Sequence, residues 1–385
     1  MESFIKGMDV SSLKELEELG AKYYKDGEEK ELLDILREYG VNSIRLRLWN
    51  DPYSESGAAY GAGTSDLNTT MELARRVLDK GFGFLLDLHY SDFWADPGKQ
   101  RVPKAWRGMS VEQLETAVYD FTRETLLVLR EHQVFPTMIQ VGNELSNGLL
   151  WPYGRVPEYD NIARFINAGI RAVRSVDKEL PIMIHLDNGG NNALYREWFD
   201  EFIKRGEDFQ VIGLSYYPFW HGTLQQLEDN MRDISARYGK ELIVAEVSMG
   251  HTLEDYGEYE KLSAEARKGM AAKPDLAEKI EYPMTPEGQS DFMEDFLTRI
   301  SGVKGCRGFY YWEPGWLPVP GSGWANEDAL AYIEENGPGG NEWANQALFD
   351  YGGHALRALE TIRDFDPDAA TGRIGQAHTS ARSEK

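Results

Sequence analysis

Two glutamates each stand where an apolar run stops. Met138-Ile139-Gln140-Val141-Gly142-Asn143-Glu144 closes on an amide and a carboxylate, and Leu242-Ile243-Val244-Ala245-Glu246 closes on a carboxylate alone. Apolar runs rich in branched side chains that end on polar residues read as buried strands whose tips emerge at the rim of a site. Two carboxyl groups facing a sugar are sufficient to hydrolyse a glycosidic bond. One must keep its proton near neutral pH, which burial and a nearby like charge bring about, and the other must stay ionised. Taken singly, either glutamate reads equally well as a loop or capping residue; as a pair at strand tips they gain weight.

The chain around them must bring these tips together. Phe4 to Val10 is a first strand closing on Asp9, with Ser11 and Ser12 as helix caps. Asn42 to Trp49 alternates Ile44, Leu46 and Leu48 with Arg45 and Arg47, a strand carrying two cations on one face. Phe82 to His89 is the third strand, and the stretch ending at Glu144 the fourth. Pro181 to Asp187, Val211 to Tyr217, Leu242 to Glu246 and Arg307 to Trp312 complete eight. Helical periodicity separates them, with Asp66 as a cap, a capping box from Ser110 to Gln113 and a helix opening at Thr285. A final helix is expected from Gln346 to Ile362. Polar residues gathered at the C-terminal tip of each strand predict a (β/α)8 TIM barrel, one domain over residues 1–366 with a disordered tail from 367 to 385. Long loops follow strands seven (about His251 to Pro283, with a helix near Ser263 to Met270) and eight (Glu313 to Trp343). A doubly wound sheet is the competitor, but the chain has no GxGxxG or Walker sequence.

A formal charge of −23 argues against nucleic acid, an anionic membrane surface or any polyanionic partner, and favours a neutral ligand. Twenty Tyr, sixteen Phe and ten Trp suit both a core and a sugar-binding cleft. The single cysteine, Cys306, excludes an internal disulfide and a Cys-based zinc site and reads as a buried core residue. The N-terminus shows no signal peptide and no run reaches the length of a membrane span, so the chain as written reads as cytoplasmic, or as secreted if an export signal precedes it.

Arg45-Leu46-Arg47-Leu48-Trp49-Asn50-Asp51-Pro52, His89-Tyr90-Ser91-Asp92-Phe93-Trp94-Ala95-Asp96-Pro97, Val141-Gly142-Asn143-Glu144, Ser215-Tyr216-Tyr217-Pro218-Phe219-Trp220-His221-Gly222, Val244-Ala245-Glu246 and Tyr311-Trp312-Glu313-Pro314 together resemble the family 53 glycoside hydrolases, the arabinogalactan endo-β-1,4-galactanases. The resemblance covers about Phe4 to Leu359. It implies a retaining enzyme with Glu144 as acid/base, Glu246 as nucleophile, a neutral β-1,4-galactan or galacto-oligosaccharide substrate and no cofactor. With those roles, Arg45 becomes the cation that keeps Glu246 ionised; Arg47 shares its face and competes, and a salt bridge on the barrel exterior is the plain alternative for both. Asn143 is placed to bond the sugar 2-hydroxyl, His89 and Tyr217 to bond the reacting ring, and Trp312 to floor its subsite. Asp187, Asn188 and His221 are candidates for more distant hydroxyls. Trp94, Trp49, Trp220 and Trp316 are stacking candidates, at least half of them expected to be packing.

One departure stands out. Bacterial relatives carry a calcium loop after strand seven, whereas Thr252-Leu253-Glu254-Asp255-Tyr256-Gly257-Glu258-Tyr259 lacks its alternating oxygen ligands, so no metal is expected there. The missing export signal fits trimming of imported galacto-oligosaccharides. Rival readings are a β-mannanase or cellulase built on the same two glutamates, a carbohydrate-binding barrel without catalysis, and a metal- or phosphate-dependent barrel isomerase.

Overall fold

The computed structural model describes residues 3–254, 274–336 and 339–369. Eight parallel strands, Ile5–Asp9 (β1), Ser43–Leu48 (β2), Gly83–Leu88 (β3), Met138–Val141 (β4), Ile182–Leu186 (β5), Val211–Tyr216 (β6), Glu241–Val247 (β7) and Cys306–Trp312 (β8), close into a barrel in chain order. Leu32–Glu38 (α1), Leu67–Asp79 (α2), Val111–Glu131 (α3), Tyr159–Val176 (α4), Asn192–Ile203 (α5), Leu224–Tyr238 (α6), Pro286–Ser301 (α7) and Arg357–Asp364 (α8) wrap it. Because strand side chains alternate, each strand sends one parity outward to the helices and the other inward. On β2 the outward set is Ile44, Leu46 and Leu48, part of the large core between sheet and helices. Deep inside, Leu85, Met183, Val211, Ile243, Ala245 and Tyr310 form a separate apolar plug. Gly7 makes room for it: a Cβ there would lie 2.3 Å from the Tyr310 ring.

Helix starts follow the sequence signals. Ser110 and Gln113 exchange the reciprocal bonds of a capping box, Asp66 accepts from the Thr69 amide at 2.7 Å, and Thr285 accepts from the Gly288 amide at 3.1 Å. Ser11 and Ser12 do something else. Ser11 donates to Asp9 at 2.6 Å and Ser12 donates to Glu313, so the helix Leu13–Glu18 begins without a side-chain cap. Cys306, at the start of β8, packs against the core but stays partly exposed.

The long loop after β8 contains a helix, Glu327–Ile333, capped by Asn326, where the Gly-, Pro- and Trp-rich sequence predicts a loop. The last helix starts eleven residues later than expected, at Arg357. Residues 349–355 are occupied by a tight turn in which Gly353 donates to Asp350 at 2.9 Å and Phe349 bridges Ala355. Two short hairpins, Tyr23–Lys25 with Glu28–Lys30 and Gly148–Leu149 with Gly154–Arg155, were also unanticipated. The expected helix at 263–270, residues 255–259 of the altered calcium loop and residues 370–385 of the tail lie outside the described residues.

Candidate active site

Above the apolar plug the inward parity turns polar. Asp9 on β1, Arg45 on β2, Asp87 on β3, Gln140 on β4, His185 on β5 and Ser215 on β6 form a buried layer. Arg45 is its hub. The guanidinium donates to Asp9 at 2.7 Å, Asp87 at 2.8 Å and Asn143 Oδ1 at 2.9 Å, and reaches Glu246 Oε1 at 2.9 Å. An exterior salt bridge is therefore ruled out for it. Arg47 also points inward but pairs with Glu313 at 2.6 Å and lies 4.2 Å from the centre of the Trp94 ring.

Glu246 reaches this layer through an irregularity. Ile243 and Ala245 belong to the inner plug, so strict alternation would send Glu246 outward. Between β6 and β7, however, Leu214 pairs with Val244 and Ser215 with Glu246, one step on β6 for two on β7. Such a bulge re-aims the side chain that follows it. Glu144 is turned differently, by a left-handed backbone at φ 47° just beyond β4, with Gly142 at φ 83° before it.

The two carboxyls meet. One oxygen of each lies within 4.8 Å of the other and of a His185 nitrogen. Among the described residues these three are a group that could hold a metal, but both imidazole nitrogens already face protein partners. Nδ1 lies 2.9 Å from Asn143 Oδ1 and 3.1 Å from Gln140 Nε2, and Nε2 lies 2.8 Å from Ser215 Oγ. Both His185 nitrogens are thus taken up by protein partners, and Ser215 links the ring to Glu144.

Burial raises both acids, but unequally. Glu246 receives the Tyr217 hydroxyl at 2.7 Å and the Arg45 guanidinium, both of which oppose its desolvation. Among the described residues the Glu144 carboxyl has only the Ser215 hydroxyl, at 2.6 Å, and it is pushed well above the usual range by burial and then by the charges of Glu246 and Asp187. The first proton taken up by the pair therefore rests on Glu144.

These groups open into a cleft of about 450 Å³. Trp94, Trp312 and Trp220 line it, Trp220 as a 41% exposed rim residue. Trp49 and Trp316 are buried packing residues. Tyr217, Asp187 and His221 face the cleft. His89 lines it too, yet both its nitrogens are used: Nε2 bonds Asp87 at 2.8 Å, and Nδ1 accepts from the Trp49 indole and the Ala95 amide at 3.2 Å each. These bonds fix the orientation of its ring at the cleft wall. Asn143 accepts from Arg45 and donates to the Ala95 carbonyl at 2.8 Å, leaving one amide hydrogen for a ligand. Asn188 does not line the cleft; its φ of 60° places it in the turn before α5, where its carbonyl accepts from Asn191.

Several residues escaped the sequence reading. Gln140, His185 and Ser215 are each two positions before a residue at the strand tip, so the inner parity of β4, β5 and β6 pointed to them. Trp324, Glu342 and Trp343 also line the cleft, from the loop after β8, where no periodicity marks them.

A barrel mouth with an aromatic-walled cleft and two buried carboxyls, one poised to hold a proton and one beside a cation, is the site of a glycoside hydrolase. A model of glycosyl hydrolase family 53 matches residues 5–362, and the chain belongs to that family. It is 35% identical over 380 residues to the endo-β-1,4-galactanase of Bacillus subtilis, covering 94% of this chain and 85% of that one. Among solved structures it is similar to the family 53 catalytic domain from Ignisphaera aggregans, with a TM-score of 0.85, 40% identity and coverage of 94% and 96% of the two chains. A fungal β-1,4-galactanase structure aligns with a TM-score of 0.73 at 28% identity, covering 93% and 98%.

Proposed function

We propose that this chain hydrolyses β-1,4-galactosidic bonds in galactan or galacto-oligosaccharides by double displacement, with Glu144 as acid/base and Glu246 as nucleophile. The inequality of two carboxyls whose oxygens approach within 4.8 Å carries the reading. A retaining pair sits about 5–5.5 Å apart, whereas an inverting pair needs about 6.5–9.5 Å to admit water between acid and base. Glu246 attacks the anomeric carbon, held ionised by Arg45 and Tyr217, while Glu144 passes its proton to the departing glycosidic oxygen. Glu144, now a carboxylate, takes a proton from water, which attacks the glycosyl-enzyme and restores the original configuration.

The galactanase names of the relatives from Bacillus subtilis and fungi support galactan as substrate. The aromatic walls and the charge of −23 suit a neutral polysaccharide. The test is release of reducing sugar from linear β-1,4-galactan beside β-mannan and cellulose. Activity on galactan alone is expected; activity on mannan or cellulose with none on galactan would replace this reading with the rival one.

A further inference from the structure

Behind the acid carboxyl runs a hydrogen-bonded chain to which the hydrolytic scheme gives no task. Gln140, His185 and Ser215 are fully buried and none of them lines the cleft. Gln140 Nε2 lies 2.6 Å from Asp87 Oδ1 and 3.1 Å from His185 Nδ1. His185 Nε2 lies 2.8 Å from Ser215 Oγ, which lies 2.6 Å from Glu144 Oε1. Buried polar chains of this kind are costly unless every member is satisfied.

The direction of the bonds follows from donor counting. Burial, with help from the Arg45 charge, pushes His185 well below its ordinary range, so the ring is neutral and carries one proton. The Gln140 amide has two hydrogens for four acceptors, Asp87 Oδ1 at 2.6 Å, Gly142 O and Asn143 Oδ1 at 3.0 Å and His185 Nδ1 at 3.1 Å, so it does not set the tautomer. The carboxylate does: once Glu144 is ionised its Oε1 can only accept, so the Ser215 hydrogen goes to Glu144 and Ser215 Oγ accepts from His185 Nε2–H.

We propose that Ser215, oriented by His185, is a positioning residue for the acid/base. It donates to Oε1 of Glu144 when the carboxyl is ionised, which favours the base form and holds the carboxyl in one orientation as it changes from acid to base. Among the described residues no hydrogen-bond partner reaches Oε2. The inference rests on Glu144 being the acid/base. The charges facing Glu144 are Glu246 from β7, Asp187 from the end of β5 and Asp96 from the loop after β3, all raising it, with the neutral phenols of Tyr217 and Tyr195 nearby; the Ser215 bond lowers it.

The test compares native protein with Ser215→Ala and Ser215→Thr, following kcat/KM against pH on a linear β-1,4-galacto-oligosaccharide and on a dinitrophenyl β-galactobioside. The second leaving group departs without a proton, so its kcat/KM does not call on the acid. Ser215→Ala should lose about ten- to a hundredfold on the oligosaccharide, the factor a hydrogen bond to a charged group provides. It should change little on the activated substrate. Its alkaline limb should move to higher pH, and threonine should restore both rate and limb. Equal losses on the two substrates, no loss on either, or an alkaline limb that stays in place would overturn the proposal. Ser215→Cys, of similar volume but a weak donor, gives the same comparison if the alanine variant fails to fold. A native protein active on another β-glycan instead of galactan would remove the substrate reading alone, and the comparison would then be made on that glycan.

Discussion

Replacing Tyr217 by phenylalanine removes one oxygen from the site and leaves a ring in place. That oxygen donates to Glu246 Oε2 at 2.7 Å. The ring keeps its contacts with His221, Trp220 and Trp312, whose centroids lie 5.5, 5.9 and 6.4 Å away, so little packing is lost. A hydrogen bond to a charged group contributes about 1.5–3 kcal/mol. Tyr217 donates to the ionised form, and at about 1.4 kcal/mol per unit its removal raises the Glu246 pKa by about one to two units. The sign is fixed by the chemistry: the phenol favours the carboxylate, burial opposes it, and only Arg45 is left to counter burial. The acidic limb of kcat/KM reports ionisation of the nucleophile in the free enzyme. It should therefore move about one to two units toward higher pH, so that activity is lost at pH values where the native enzyme is fully active. The alkaline limb, set by Glu144 once Glu246 is ionised, should stay. Initial rates on linear galactan across pH, with thermal melting as a folding control, measure both limbs. An acidic limb that is unmoved or displaced toward lower pH would refute the assignment of Tyr217 and Glu246.

Three further outcomes follow from the same geometry. Glu144→Gln should lower kcat/KM on galactan by about 10²–10⁴-fold, the range of general acid catalysis, while cleavage of an aryl galactoside with a good leaving group survives; equal loss on both would remove Glu144 from the acid role. Arg45→Met leaves Asp9, Asp87 and Glu246 buried without their shared cation, and should cost about 3–5 kcal/mol in urea unfolding; a stability change under 1 kcal/mol would show that the cluster does not depend on it. Gly7→Ala would drive a Cβ to 2.3 Å from the Tyr310 ring and 2.7 Å from the Phe309 carbonyl, and should destabilise by about 1–3 kcal/mol through overpacking, measured by the same unfolding assay.

How much of this was legible in the sequence depends on which physical rule set each residue. Strand parity is local, so β2 announced that Ile44, Leu46 and Leu48 share one face and Arg45 and Arg47 the other, but not which face turns inward. The same rule, counted back from Asp187 and Tyr217, would have found His185 and Ser215. Capping is local as well, and Asp66, Ser110 and Thr285 were readable from spacing alone. Ser12 was not, because Glu313, remote in sequence but across the barrel seam, captures its hydroxyl. Parity applied to Glu246 gives the wrong face, since the bulge beside Ser215 is a property of two strands together. The partners that hold the His89 ring, Asp87, Trp49 and Ala95, come from different places in the fold and could not be read from its position at a strand tip. In the loop after β8 no period exists to be read, and Trp324, Glu342 and Trp343 reach the cleft only through the folding of that loop.

The most direct test is the configuration of the first product. Proton NMR of a galacto-oligosaccharide digest, recorded faster than mutarotation, should show the β-anomer of the newly released reducing end appearing first and the α-anomer growing in later. Initial release of the α-anomer would mean single displacement by water, and would contradict a nucleophilic Glu246 beside Glu144.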